Sequence, residues 1–396
     1  MATGSGATEP PSSRASRLRL IVLLLLLLPV PLLARGGDAY AGQQVAAPDF
    51  YAEIRDLLNQ RLALQDEFPW APRPREVPGW PGPLPWLGEV SGVSVRPDGH
   101  PVIFHRGPRI WDARSFNASE QYQRAEEGAI PVETVVTLHR VTGEPLDAWG
   151  RDFFYLPHGI TVDALGNTWL TDVALHQVFK FPPGGEGRPE LALGERFVPG
   201  AGPHRFCKPT SVAVARTGQV FVADGYCNSR VLEFNARGRL LRELPMPEGL
   251  SPLRVPHALA LLEGADLLCV ADRENRRVVC PAAGLRVGDP PPGDPLAAAL
   301  VHPPDLGRVY GIAARGDVVY AVNGPTSRQI PVRGFTLDPQ AEEVLDRWGP
   351  VPGFASPHAL AVCPSGRALY VAELDPPRVL KFDLRPPLRV RRSTRA

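Results

Sequence analysis

The chain has 396 residues and a formal net charge of +1. Its apolar share of 44% and charged share of 21% are those of a soluble globular protein, and nothing in that balance calls for nucleic acid as a partner. The 38 glycines and 46 prolines are spread along the chain, which argues against one disordered tract and for many short strands joined by turns.

Taken in order, the first element is a processing segment. Arg14, Arg17 and Arg19 precede an apolar run from Leu20 to Ala34 that is interrupted by Pro29 and Pro31. The run is too short and too broken for a span of about 20 residues. It reads as a signal peptide over residues 1–37, cleaved between Ala34 and Ala41. No later stretch is long and apolar enough to cross a bilayer, so the mature chain is expected in the secretory lumen or outside the cell. Residues 38–87 read as an N-terminal extension. Within it, Phe50, Ile54, Leu57, Leu58, Leu62 and Leu64 recur at a helical spacing over 50–68, and a Pro- and Trp-rich connection follows. Asn117-Ala118-Ser119 is a glycosylation sequon in a polar stretch. The cysteines are Cys207, Cys227, Cys269, Cys280 and Cys363, an odd set that leaves at least one thiol without an intrachain partner in an oxidising compartment. Residues 386–396 form a basic tail.

From residue 88 to 385 one unit repeats: an apolar strand, a Gly-containing turn, a second apolar strand, a polar loop and a third strand. The anchors Val93, Ile160, Val212, Leu259, Ile312 and Leu360 recur at roughly fifty-residue intervals, with one longer insertion after the first; a strand-rich period of about 40 to 50 residues marks a propeller blade. The unit over 309–335 is a degenerate copy. The expected fold is all-β, a six-bladed β-propeller with a short N-terminal helical extension.

Three units open alike: Pro157-His158-Gly159-Ile160, Pro256-His257-Ala258-Leu259 and Pro357-His358-Ala359-Leu360. These are the second, fourth and sixth units. Alternate blades of a six-bladed ring are related by threefold symmetry, so His158, His257 and His358 are expected to meet at one channel mouth. Three convergent imidazoles are the ligand set of a catalytic zinc with an open fourth position. The loops after the second strands align His105-Arg106, Asp224-Gly225-Tyr226 and Asp272-Arg273. If they open on the same side, Arg106, Arg273 and Tyr226 border the metal. Guanidiniums suit a carboxylate, and a phenol beside a cation can serve as a general base. Asp172, Asp224 and Asp272 recur across blades and read as loop-closing structural residues. His105, His139, His176, His204 and His302 lack the repeat and read as surface or locally bonded.

The strings VIFHRG (102–107), FYLPHGI (154–160), TDVALHQVFK (171–180), DGYCNSR (224–230), VADREN (270–275) and PHAL (357–360) closely resemble peptidylglycine alpha-hydroxylating-lyase sequences, in order over about residues 88–385. The resemblance implies a zinc propeller that cleaves peptidyl-alpha-hydroxyglycine to peptide amide and glyoxylate. It implies His158, His257 and His358 as zinc ligands, Tyr226 as the base, and Arg106 and Arg273 as the carboxylate receptors. It implies the bridges Cys207–Cys227 and Cys269–Cys280, which leave Cys363 as a buried, inert thiol. It also implies a calcium bound by the carbonyls of Val93 and Ile160 and by an aspartate after the last histidine. That position is Ala359 here, and calcium seeks a carboxylate, so the calcium site is doubtful. The functional partner implied is a copper-dependent peptidylglycine hydroxylating monooxygenase, because no such domain fits in this chain. A second class of function stays open, a secreted interaction propeller that keeps zinc as a structural remnant. A calcium-dependent lactonase-type propeller would need a carboxylate and Asn cluster at the mouth, and three histidines argue against it.

Overall fold

A computed structural model describes residues 73–185, 187–285 and 299–384. The expected signal segment, the helix over 50–68 and the basic tail lie outside the described residues. Strand β1 (Arg75–Glu76) and the 23 strands that follow it among the described residues form six sheets of four antiparallel strands. Blade 1 holds β2 (Val90–Val95), β3 (Pro101–His105), β4 (Val135–Leu138) and β5 (Pro145–Trp149). Blade 2 holds β6 (Pro157–Val162), β7 (Thr168–Asp172), β8 (Gln177–Phe181) and β9 (Leu191–Leu193). Blade 3 holds β10 (Ser211–Val214), β11 (Val220–Asp224), β12 (Arg230–Phe234) and β13 (Leu240–Glu243). Blade 4 holds β14 (Pro256–Leu262), β15 (Leu267–Asp272), β16 (Arg277–Cys280) and β17 (Ala299–Val301). Blade 5 holds β18 (Val309–Arg315), β19 (Val318–Asn323), β20 (Gly334–Asp338) and β21 (Glu343–Trp348). Blade 6 holds β22 (Pro357–Val362), β23 (Ala368–Glu373) and β24 (Arg378–Asp383), and β1 pairs with β24 as its outer strand. The ring is thus closed by residues that precede position 88.

The burial pattern explains the apolar share. The second strands β3, β7, β11 and β19 are buried along their whole length, because each blade is covered on both faces by its neighbours. The outer strands β5, β9 and β13 alternate only weakly and face water. The core therefore sits in the seams. Val212, Val222 and Leu232 of blade 3 pack on Trp169 and Val178 of blade 2. Ile312, Val319 and Phe335 of blade 5 pack on Ala260 and Val278 of blade 4. Each fully buried aliphatic side chain contributes on the order of 1.5–3 kcal/mol, so the seams supply most of the cohesion.

The ends of the second strands are tied down from within. Asp172 is fully buried and accepts the backbone N–H groups of Tyr155, Leu156, Ala174 and Leu175. Asp224 accepts from Cys207 N, Asp272 from Arg254 N, and Glu373 from Ala355 N and Ser356 N. These carboxylates hold the approach to the inner strands of blades 2, 3, 4 and 6, the structural role expected of the recurring aspartates. Both implied bridges are formed, Cys207–Cys227 and Cys269–Cys280, and Cys363 is a buried free thiol. Among the described residues no helix is long and apolar enough to cross a membrane.

Candidate active site

The inner strands β6, β14 and β22 each begin with Pro-His and then a break in register against the neighbouring strand, between Pro157 and Ile160, Pro256 and Leu259, and Pro357 and Ala359. A bulge re-aims the side chain it carries. Here it turns each imidazole onto the axis. The ring centroids of His158, His257 and His358 lie 4.7–4.9 Å apart, and the three can bring ligand atoms within 4.8 Å of one another. All three are buried.

Their tautomers follow from their partners. His158 Nδ1 lies 2.8 Å from Thr210 O, His257 Nδ1 2.6 Å from Tyr310 O, and His358 Nδ1 2.6 Å from Ser91 O. A carbonyl can only accept, so each Nδ1 carries the proton and each Nε2 keeps a lone pair facing inward. Burial is the main reason all three resist protonation. It lowers His158 and His257 well below the ordinary range, and His358 to about 3. The like charge of neighbouring imidazoles and of Arg106 and Arg273 adds to the effect. The odd blades thus serve the even ones. Ser91, Thr210 and Tyr310 stand at the ring positions between the histidines and offer the carbonyls that orient them.

The loops do open on the histidine side. The Tyr226 hydroxyl is 3.1 Å from His158 Nε2, 3.3 Å from His257 Nε2 and 3.4 Å from Arg273 Nη1. Burial pushes the phenol up, and the Arg273 and Arg106 charges pull it back. The Cys207–Cys227 bridge anchors the loop one residue beyond Tyr226. Arg106 is buried; its Nε donates to Pro157 O at 3.0 Å and its Nη1 to Glu89 at 2.5 Å. The Arg273 Nε donates to Glu274 at 3.0 Å, and Glu274 also accepts from Arg308.

Several neighbours were not anticipated. Trp111 lies in the long insertion between β3 and β4, its ring 4.8 Å from that of Tyr226 and 5.3 Å from the Arg106 guanidinium carbon. Lys208 is buried with its ammonium over the Phe116 ring, and it pairs with Glu120 of the same insertion. The insertion therefore forms an aromatic wall beside Tyr226. Its hairpin, bridged between Phe116 and Tyr122, carries Asn117 at an exposed tip. His105 and His176 are buried and locally bonded, their Nδ1 atoms accepting Gly107 N and Lys208 N. Among the residues beyond the candidate sites, Tyr310 had a detectable signal. It stands two residues before its anchor Ile312, as each histidine does before its own.

Beyond the histidines the channel holds a cavity of about 70 Å3, lined by Val93, Ile160, Ala359 and other inner-strand residues. None of its lining residues is acidic. The residues present do not fit calcium, which takes six to eight oxygens and usually a carboxylate.

Residues 206–234, which carry Tyr226, match the NHL repeat. The chain is 51% identical over 320 residues to peptidyl-alpha-hydroxyglycine alpha-amidating lyase 2 of Drosophila melanogaster, covering 80% of this chain and 77% of that protein. It belongs to the peptidyl-alpha-hydroxyglycine alpha-amidating lyase family. A probable amidating lyase of Caenorhabditis elegans is 40% identical over 315 residues, covering 78% of this chain and 87% of that one. The peptidylglycine alpha-amidating monooxygenase of Rattus norvegicus is 38% identical over 333 residues, and the match spans 80% of this chain but 33% of the rat protein. In this amidating-lyase chain the histidines, both arginines and the tyrosine lie together.

Proposed function

We propose that the chain is a zinc-dependent lyase that splits peptidyl-alpha-hydroxyglycine into peptide amide and glyoxylate, the second step of peptide C-terminal amidation. One observation carries the reading: the Tyr226 hydroxyl lies within 3.4 Å of two inward-facing imidazole nitrogens and of a guanidinium donor. A base, a metal cage and a carboxylate receptor are in reach of one small acid. Family membership supports the same reaction.

Three neutral imidazoles with free Nε2 lone pairs fit catalytic zinc, and His158, His257 and His358 would hold it. Bound there, zinc would supply Lewis acidity toward the substrate hydroxyl. The chain's own groups do the rest. Arg106 and Arg273 receive the substrate carboxylate, which fixes the hydroxyl-bearing carbon beside Tyr226. Burial keeps the Tyr226 phenol protonated on its own; with the charge of a bound metal added to those of Arg106 and Arg273 it would act as a phenolate and take the hydroxyl proton. The O–H electron pair becomes the carbonyl of glyoxylate, and the carbon–nitrogen pair leaves with nitrogen. Nitrogen then gains one proton and becomes the amide. No oxidant and no water are consumed. Trp111 and Phe116 wall the site on the Tyr226 side and limit entry of water. Calcium has no part in this scheme.

The wider proposal divides the chain into a signal peptide (1–37), an extension (38–87) whose strand β1 completes the sixth blade, the lyase propeller (88–385) and a basic tail (386–396). Two disulfides fit the secretory pathway. The exposed Asn117 would carry a glycan. The substrate must come from a copper-dependent peptidylglycine hydroxylating monooxygenase acting upstream. The test is to mix zinc-loaded protein with a synthetic peptide ending in alpha-hydroxyglycine. Peptide amide and glyoxylate should form in equal amounts. No turnover with zinc bound and Tyr226 intact would sink the lyase reading in favour of an interaction propeller.

A further inference from the structure

We infer that Tyr310 is a positioning residue for the substrate carboxylate: its ring holds the Arg273 guanidinium in register with the metal-binding histidines. The inference rests on the lyase reading, since it assigns Arg273 a carboxylate to hold. The Arg273 guanidinium carbon lies 5.2 Å from the centroid of Tyr226 and 5.1 Å from that of Tyr310. The cation is thus flanked by two aromatic faces, an arrangement that gains strength when water is excluded. The same Tyr310 ring is 5.1 Å from the His257 ring and 5.9 Å from the His358 ring, and its backbone carbonyl accepts from His257 Nδ1. One residue therefore spaces two metal ligands and one carboxylate receptor.

The two arginines differ in how they are held. Arg106 has a carbonyl and a carboxylate fixed to its Nε and Nη1, with Trp111 beside it. Arg273 has its neighbour Glu274 at Nε and a 3.4 Å contact to the Tyr226 hydroxyl. Tyr310 supplies the second aromatic face on the Arg273 guanidinium, whose Nη1 meets the Tyr226 hydroxyl where that of Arg106 meets a carboxylate. Blade 5 also keeps room for it. The loop position that carries Arg273 in blade 4 is Gly324 here, and a Cβ added to Gly324 would lie 2.5 Å from the Tyr310 ring. No left-handed backbone imposes that glycine, so the tyrosine ring sets the constraint.

The experiment compares wild type, Tyr310→Leu, Tyr310→Phe and Gly324→Ala, each zinc-loaded. KM and kcat are measured with the alpha-hydroxyglycine peptide. Binding of the unhydroxylated glycine-ended peptide, and of its C-terminal amide, is measured by calorimetry. Loss of the aromatic face should raise KM and weaken the glycine-ended peptide about ten-fold, with kcat changed less and zinc content kept. Tyr310→Phe should recover most of that loss. Gly324→Ala should shift affinity the same way by displacing the ring. The amide, which lacks the carboxylate, should bind all variants alike. Unchanged carboxylate affinity in Tyr310→Leu and Gly324→Ala, equal loss for the amide, or loss of zinc would overturn the inference. Wild type that binds the glycine-ended peptide yet forms no glyoxylate would instead refute the lyase reading.

Discussion

Tyr226→Phe separates the base from everything else the residue does. The substitution removes one oxygen and leaves the ring. The packing on Trp111 at 4.8 Å and the cation face presented to Arg273 at 5.2 Å therefore survive. The lost contact to Arg273 is 3.4 Å long, at the weak end for a hydrogen bond, so KM should move little. The metal cage loses nothing, because each histidine is oriented by a backbone carbonyl and not by the phenol. The base itself is worth about 10²–10⁴ in rate, or about 3–5 kcal/mol of barrier. The expected result is a kcat lower by that factor, with zinc content and melting temperature near wild type. The assay is glyoxylate release under saturating substrate, with metal analysis on the same sample. A variant that keeps zinc and full kcat would refute the base assignment, and loss of zinc would refute the claim that the phenol is dispensable for the cage.

Burial lowers His105 and His176 to about 4 from an ordinary 6.5, so both are neutral in the fold and protonated sooner in the unfolded chain. Stability should be full above about pH 6.5 and fall as pH drops toward 4, by up to about 3 kcal/mol for each histidine. Thermal melts across that window check it, and His176→Asn, which keeps an acceptor for Lys208 N, should flatten the slope. The two disulfides close loops of 20 and 11 residues, so losing either should cost roughly 3 kcal/mol. Only the Cys207→Ala/Cys227→Ala pair should also lower kcat, because only that bridge tethers Tyr226. Asp172→Ala strips four backbone amides of their buried acceptor and should cost more than 3 kcal/mol in urea unfolding, with a cost below about 1 kcal/mol counting against the role given to these carboxylates.

Repetition made the fold legible. A strand that recurs six times reveals its inner position even when one copy is poor, and three histidines at one register of alternate repeats point to one axis. Arg106 and Arg273 were legible for the same reason, because they share one loop position in two blades. Other residues carry no periodic mark. Trp111 and Phe116 sit in an insertion that has no counterpart in other blades, so nothing in the register locates them. Glu89 and Glu274 look like ordinary surface acids until the fold sets them against the arginines. His176 reads as polar, yet it is wholly buried, with one backbone amide on Nδ1. Arg75–Glu76 is too short to leave any pattern. Tyr310 was within reach of the register but hidden by chemistry, since it breaks the Pro-His signature of its neighbours.

The strand pair that joins Arg75–Glu76 to Phe382 and Asp383 ties closure of the ring to order of synthesis. On the ribosome, β1 emerges long before the partner that will hold it, and it must wait for almost the whole propeller to be made. The third imidazole, His358, comes from the last blade, on its inner strand β22 at the opposite edge of the sheet from β1. A nascent chain therefore cannot bring the three histidines together before the last blade is made. The cluster is completed late, and chains cut short before His358 would be left with two of its three imidazoles and an open circle.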